Sequence, residues 1–462
     1  MSAQLASLLT FAFIAYLFRR DFGAQPKMTP ALWIPFIWIL LLSTKSVTEW
    51  CAILGLPTLG IFSVEEGSPL DALVWYTLIV CGLWVIKRRR INLTGFIQNN
   101  LCISFFLLFC FVAIVWSDFP FVAFRRWTKV IGHPILVLIL LTEPDPRQAL
   151  ITLMKRCAYL VIPISILFIK YYPEWGRAFD PWTGYGINIG ITEGKNTLGA
   201  DCMFLGLFFG WYFLHLWKGP KSKTRRIELI LCIVFEFMIW WTLSESASST
   251  SLACLIIGLF IMFFLGSRMV NKRFVGAYVI IGIIVLIGAE AMFKVSDSVI
   301  EMLGRDSTLT GRTVLWEDLL SMGTNPVFGT GFESFWLGDR RIGVESRYGF
   351  RPTQAHNGYI ETYLNLGGLG MVLLIGLIIA TFRKASAELT RDLELNQFRL
   401  ALLAVIIIHN WTEATFKGLN LEYFLFYFIA VRYERRQLGA EAVADEIAKG
   451  KISQRTPERR FA

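Results

Sequence analysis

Apolar runs of roughly 15 to 22 residues recur along this chain, broken by short polar connections. They fall near 3–18, 30–44, 69–86, 101–116, 130–142, 157–172, 197–217, 227–243, 251–266, 275–292, 363–382, 400–412 and 418–432. The pattern predicts an all-α, polytopic helical membrane protein with about 12–13 transmembrane helices. Cations test the assignment. They cluster at Arg19/Arg20, Lys87 to Arg90, Arg147/Lys155/Arg156, Lys218 to Arg226, Arg268 to Arg273, Arg383/Lys384 and Arg432 to Arg436. These clusters occupy every second connection, as the preference of cations for the cytoplasmic side requires. Thirteen spans put the N-terminus outside; if the first run does not cross, both ends lie inside. Residues 1–18 carry no cation ahead of the apolar run, so a cleavable signal peptide is not expected.

The other connections face outward: 45–68, 117–129, 173–196, 244–250, 293–362 and 410–417. At about seventy residues, 293–362 is the longest, and loops of that length are uncommon unless functional. Within it, "STLTGRTVLWEDLLSMGTNP" reads as an amphipathic helix with Val314, Leu315, Leu319 and Leu320 on one side, stopped by Gly323, Asn325 and Pro326. The expected organisation is a bundle over 1–292, the long outer loop with short helices over 293–362, further spans over 363–436, and a basic cytoplasmic tail over 437–462. No internal repeat and no matching pair of broken helices stands out, which weakens a transporter reading.

Composition sharpens this. The 462 residues are 55% hydrophobic and 17% charged, with mean hydropathy +0.53. A soluble protein carries about 25% charged residues, so a soluble class is excluded. The net charge of +10 therefore concerns topology and not nucleic acid. The eight cysteines mostly sit inside apolar runs without metal-ligand spacing, and read as packing residues. No metal or cofactor is expected: there is no nucleotide-binding fingerprint, no metal-binding histidine pair and no aspartate-rich outer motif.

Candidate chemistry gathers at the outer connections. The long loop holds Arg305, Arg312, Arg340, Arg341, Arg347 and Arg351, and other outer segments add Arg125, Arg126, Lys129, Arg177 and Lys195. Each cation has a plain reading, as surface charge balanced by acids such as Glu301, Asp306, Asp339 and Glu345, or as a side chain snorkelling to head groups. The functional reading is a clamp for phosphate or pyrophosphate, which guanidinium forks bind bidentately. Arg312 is the best placed, at the start of a helix whose backbone donors address the same anion. Of four histidines, His133 and His215 lie within spans and read as packing or hydrogen-bonding residues. His356 and His409 lie at the outer surface, each followed by asparagine, where imidazole can take a proton from a hydroxyl. Asn357 is placed to orient the His356 ring or to cap the next helix. His409, in "HNWTEAT", has Glu413 one turn on as its expected partner. Gly367, Gly368 and Gly370 predict close helix packing beneath His356.

The ordered set "GR…W" (Gly311, Arg312, Trp316), "NPVFGTGFESF" and "AHNGYIETYLNLGGLG" resembles the signature region of the O-antigen ligase and polymerase superfamily. "WSDFP" and "GKNTLG" upstream also look like that family, and "VWSDFPFVAFRRWTKVIGHPI" is most similar to exopolysaccharide polymerases of the succinoglycan type. The resemblance implies an inverting, metal-independent membrane glycosyltransferase of the bacterial inner membrane, with its active site facing the periplasm. Its donor would be a glycan on undecaprenyl pyrophosphate, its acceptor a second glycan, and a chain-length regulator a possible partner. It further implies Arg312 and His356 as the catalytic pair. Arg126, Arg125, Lys195, Asn357, Arg351, His409 and Glu413 follow as substrate-binding candidates. At "SESASS" (244–249) relatives often carry an arginine after the serine, and this chain does not.

Three readings follow: a polysaccharide polymerase, a ligase that passes the glycan to lipid A core, and a transporter of the lipid-linked glycan. The last requires charges facing a cavity inside the spans, whereas these gather at outer ends.

Overall fold

The structure, a computed structural model, describes residues 1–24, 28–57, 67–180, 184–282, 312–349 and 353–433. Helices α1 (Ala3–Ala24), α2 (Trp33–Leu42), α3 (Val47–Ile53), α4 (Pro69–Arg88), α5 (Leu93–Asn99), α6 (Leu101–Val112), α7 (Pro120–Val130), α8 (Gly132–Leu141) and α9 (Pro146–Tyr171) make the first part. A single turn, α10 (Pro173–Gly176), leads into a hairpin of β1 (Arg177–Phe179) and β2 (Gly186–Asn188), paired antiparallel with Ala178 opposite Ile187. Helices α11 (Lys195–Lys218), α12 (Lys223–Ser246) and α13 (Ser249–Gly266) follow. The last part holds α14 (Arg312–Ser321), α15 (Gly338–Tyr348), α16 (Gly358–Glu388), α17 (Leu393–His409) and α18 (Leu421–Ala430). The expected tail, the loop start at 293–311 and most of the 275–292 run lie outside the described residues.

The protein is an all-α polytopic membrane protein. Among the described residues six helices are individually long and apolar enough to cross a membrane, and up to eight if two bent pairs each count as one. Helices α9 and α11 form the centre, with 83% and 72% of their apolar stretches buried, against 33% for α4, α12 and α13. The outer helices expose continuous apolar stripes. Ile256, Phe260 and Phe263 line one side of α13, and Leu369, Val372, Ile375 and Ile379 one side of α16. A water-soluble surface does not carry stripes of this kind; hydrocarbon accepts them without cost.

The short C-terminal run departs from expectation. Helix α18 has ten residues, all buried, and packs against α8. At 1.5 Å per residue it is about 15 Å long, half a bilayer core. Hydropathy scores an apolar run the same whether lipid or protein surrounds it.

Alternate connections converge on opposite ends of the bundle. At one end, Glu228 pairs with Arg20 at 3.0 Å and Lys155 at 2.7 Å, Arg156 with Asp21 at 2.8 Å, and Arg89 with Glu143. These connections are the cation-rich ones. At the other end Lys45 donates to the Thr192 carbonyl at 2.7 Å, Thr48 to Asp71 at 2.9 Å, and Asn196 to Glu413 at 2.8 Å.

Three breaks shape the bundle, two of them toward the second end and the α5–α6 bend at the cation-rich one. Helices α2 and α3 meet at 71° across Ser43–Ser46, where Ser46 and Glu49 form a reciprocal cap that starts α3. Helices α5 and α6 meet at 99°. The third lies at Gly367, whose φ of 65° and ψ of −167° interrupt α16. There the amides of Gly368 and Leu369 donate to the Pro326 and Val327 carbonyls. In return Thr330 and Gly331 donate to the carbonyls of Leu364 and Asn365. The "NPVFGTG" loop thus satisfies the backbone groups that the break frees, as a helix interrupted at membrane depth requires. The glycines admit this loop, and not the neighbouring helix expected from sequence. A Cβ on Gly367 would lie 2.3 Å from the Val327 carbonyl carbon and oxygen.

Gly367→Ala should therefore destabilise the protein by at least about 1–3 kcal/mol, the cost of a non-glycine residue in such a conformation, with backbone displacement added. Thermal unfolding of the purified protein in detergent checks this; an unchanged Tm would show that the loop does not seat in the break.

Candidate active site

Along the described α14, Leu315 and Leu319 fall on the same side as Arg312, three and seven residues on, and all three are buried. Val314 and Leu320, expected on that side, are 56% and 49% exposed. The helix therefore presents a narrow stripe that carries Arg312 inward. Its guanidinium donates to Glu413 Oε1 at 3.0 Å and to the Thr412 carbonyl. Helix-start donors had suggested an anion held at the end of α14. Instead the arginine side chain is turned onto the 410–420 connection.

That connection is built by Asn410. Its Oδ1 accepts from the amides of Thr415 and Phe416, both at 3.1 Å, and its Nδ2 donates to Glu422 at 2.8 Å. The turn raises Glu413 into a buried position between three groups. Asn196, the second residue of α11, donates to Oε1 at 2.8 Å, Arg312 donates to the same oxygen, and Oε2 lies 3.3 Å from His356 Nδ1. Burial alone would raise the Glu413 carboxyl. The His356 hydrogen bond and the charges of Arg312, His356 and His409 outweigh it and bring it down to about 2.

His356 sits immediately before α16 with a φ of +49°, a left-handed conformation uncommon for a non-glycine residue. Its neighbours hold it there. The Ala355 amide donates to Glu361 Oε2 at 2.9 Å, the Gly358 amide to the Asn410 carbonyl at 2.8 Å, and Asn357 Oδ1 caps the amides of Tyr359 and Ile360. Gly358 must lack a side chain, because a Cβ would lie 2.1 Å from Asn410 Oδ1. Asn357 thus serves as helix cap, the second of its two expected roles. The Gln354 amide is 3.4 Å from His356 Nδ1. The Gln354 Nε2 donates and can pair only with an unprotonated Nδ1, whereas the nearer, charged Glu413 carboxylate accepts from Nδ1–H and sets the tautomer. Nδ1–H directed at Glu413 leaves the lone pair on Nε2.

His409 is placed differently from expectation. Both ring nitrogens have partners, Glu422 at 2.8 Å and Ser251 at 3.4 Å, and the residue is 1% exposed. Its carboxylate is Glu422, while Glu413, the partner expected from spacing, belongs to His356. Ser251 follows the "SESASS" stretch, so a hydroxyl and not an arginine reaches the site from there. Lys195 pairs with Asp180, one residue from the Asn196 that reaches Glu413. Arg126 donates to the Glu333 carbonyl at 2.5 Å, and the Glu333 carboxylate accepts from the Gly418 amide at 2.6 Å. Arg125 lies 5.7 Å over the Phe121 ring. Arg340 pairs with Asp118 and Arg347 with Asp318. Arg351 and Arg305 lie outside the described residues.

Sequence reading passed over Lys417 and Glu361, which pair at 2.8 Å directly behind His356. Glu361 also accepts from Trp336 Nε1 at 2.8 Å and so anchors the long loop to α16. The i, i+5 offset of Glu361 from His356 was the available signal. Next to these groups lies a cavity of about 340 Å³ lined by Asn196, Gln354, His409, Glu413, Lys417 and Glu422.

Fold and site together define a polytopic helical membrane protein with an arginine–carboxylate–histidine cluster at the end opposite its cation-rich connections. Residues 229–375 match the family model described as O-antigen ligase. Over 330 residues the chain is 26% identical to the exopolysaccharide production protein ExoQ of Rhizobium meliloti (strain 1021), covering 65% of this chain and 69% of that one. Both matches support the O-antigen ligase and polymerase family.

Since Glu413 falls from an ordinary 4.5 to about 2 on folding, its carboxylate stabilises the protein above pH 4.5. That contribution, about 3 kcal/mol, is lost as pH falls through the interval between the two values. Glu413→Gln should lower the Tm at neutral pH and flatten the acid loss of stability below pH 4.5. Thermal unfolding across pH measures both, and an identical acid profile in the variant would count against the bridge.

Proposed function

We propose that the protein is a membrane glycosyltransferase that polymerises undecaprenyl-pyrophosphate-linked repeat units into exopolysaccharide at the periplasmic face of the inner membrane. The observation that carries this is the buried Glu413 bridging Arg312 and His356. In this reading His356 Nε2 takes the proton of an acceptor hydroxyl. The hydroxyl oxygen attacks the donor's anomeric carbon from the side opposite the pyrophosphate, forming a C–O bond and inverting the centre. The bond to the pyrophosphate oxygen breaks, and lipid pyrophosphate leaves with its electron pair. Glu413 fixes the tautomer of His356 and stabilises the imidazolium that forms. Arg312 keeps that carboxylate ionised and in place, and its guanidinium is shared with the leaving group as charge develops. Arg125, Arg126 and Lys195 supply further positive charge toward the pyrophosphate, which needs only electrostatic stabilisation to depart.

The relative's name, an exopolysaccharide production protein, favours polymer formation. The description of the matching model, O-antigen ligase, supports a second reading in which the same chemistry caps lipid A core. Electrophoresis of lipopolysaccharide and assay of secreted polysaccharide in a deletion strain separate them, because only loss of a ligase leaves core uncapped.

His356→Ala should reduce transfer by about 10²–10⁴-fold, the worth of a general base. Single lipid-linked repeat units should accumulate in place of polymer. The check is transfer between defined lipid-linked repeat units by purified protein, with chain length read on gels; chains of unchanged length in the variant would overturn the assignment.

A further inference from the structure

A second cavity of about 670 Å³ adjoins the site on its α2–α3 side, within the roughly 300–1,000 Å³ range of small-molecule sites. The two cavities share Leu42, Glu193, Thr197 and Leu419 in their linings, so they lie side by side. The larger one exists because α2 and α3 meet at an angle instead of continuing as one rod. The bend opens a space between the start of α3, the start of α4 and the end of α7.

Its lining is built for a hydroxyl-rich guest. Glu49, Asp71 and Glu193 stand against one cation, Lys129, with Trp75 as a fixed ring at one side. Trp75 is held edge-on to Trp38 at 4.7 Å between centroids. Glu49 and Asp71 are partly committed, to the α3 cap and to Thr48. Glu193 and Lys129 make no hydrogen bond or ion pair to any described residue. Burial and the nearby Glu49 push Glu193 up to about 7, and burial with Arg125 and Arg126 nearby holds Lys129 below the ordinary lysine value. Both present polar atoms to the cavity that a guest's hydroxyls can pair with. A pyrophosphate is disfavoured, because Glu49, Asp71 and Glu193 outnumber Lys129 and the neighbouring Lys45.

We propose that this cavity is the acceptor subsite, holding the neutral, hydroxyl-rich terminal sugar of the acceptor glycan while the donor's pyrophosphate lies outside it. Glu193 accepts from the sugar hydroxyls, Lys129 donates to them, and Trp75 packs against the ring. From there the attacking hydroxyl reaches past the shared lining toward His356. The proposal rests on the transferase reading above.

The test uses the full-length protein in nanodiscs, and as probe the repeat-unit oligosaccharide freed from the host's own polysaccharide. Calorimetric titration into His356→Ala protein reads binding without turnover. Glu193→Gln in that background should weaken binding about tenfold, the loss of one charge-assisted hydrogen bond. Ala52→Trp, which fills the cavity away from the catalytic cluster, should abolish it. With His356 intact, Glu193→Gln should raise the acceptor KM about tenfold and leave the donor KM unchanged. An oligosaccharide that does not bind, binding that both variants leave unchanged, or a rise confined to the donor KM would each overturn the subsite. Binding as expected without glycosidic bond formation by the wild type would instead count against the transferase reading alone.

Discussion

Glu413 is a carboxylate with almost no access to solvent, and the end of the molecule opposite the cation-rich connections is arranged around keeping it charged. A lone buried carboxylate would take up a proton instead of staying ionised. Here Arg312 and Asn196 satisfy one oxygen and His356 faces the other. The three donors come from α14, α11 and the start of α16, and the acceptor from the turn after α17. One side chain thus ties four separate parts of the chain to a common point. Removing any one partner would strand charge in a low-dielectric setting, which is far costlier than the net worth of the pair when complete.

The helix breaks make this convergence possible. A straight bundle would present its outer ends as separate stubs with loops between them. The bend between α2 and α3 opens a cavity, and the interruption at Gly367 lets the "NPVFGTG" loop seat its backbone against α16. That loop then leads to Glu333, which links Arg126 of α7 to Gly418 beside the turn that carries Glu413. Each break is tolerated because other backbone or side-chain groups take up the freed hydrogen bonds. The reciprocal Ser46–Glu49 cap does this for α3, and the exchange of four backbone hydrogen bonds does it at Gly367.

Much of the architecture was legible in the sequence because it depends on quantities that add along the chain. Apolar runs marked the helices, and alternating cation clusters marked the connections that meet at one end. The rarity of histidine drew attention to His356 and His409, and the arginine at a helix start to Arg312. Local patterns misled where they had two readings. Spacing paired Glu413 with His409, whereas the turn set by Asn410 points its carboxylate at His356. The apolar stripe on α14 is narrower than expected by two residues, Val314 and Leu320, and its pattern of 312, 315 and 319 includes the arginine itself. The run that forms α18 looked like a span, yet protein surrounds it on every side.

By itself the sequence determined an all-helical membrane protein, the sorting of its connections into two ends, and a short set of outer residues able to carry group-transfer chemistry. Hydropathy and charge act against bilayer and water, which are the same surroundings everywhere along the chain, so composition and spacing suffice. Tertiary structure alone decided which histidine received the carboxylate, what the glycines of α16 admit, and where a second cavity opens beside the site. Those outcomes depend on hydrogen bonds between residues tens to hundreds of positions apart, and on backbone approaches of a few ångströms. Nothing local to any one segment specifies them.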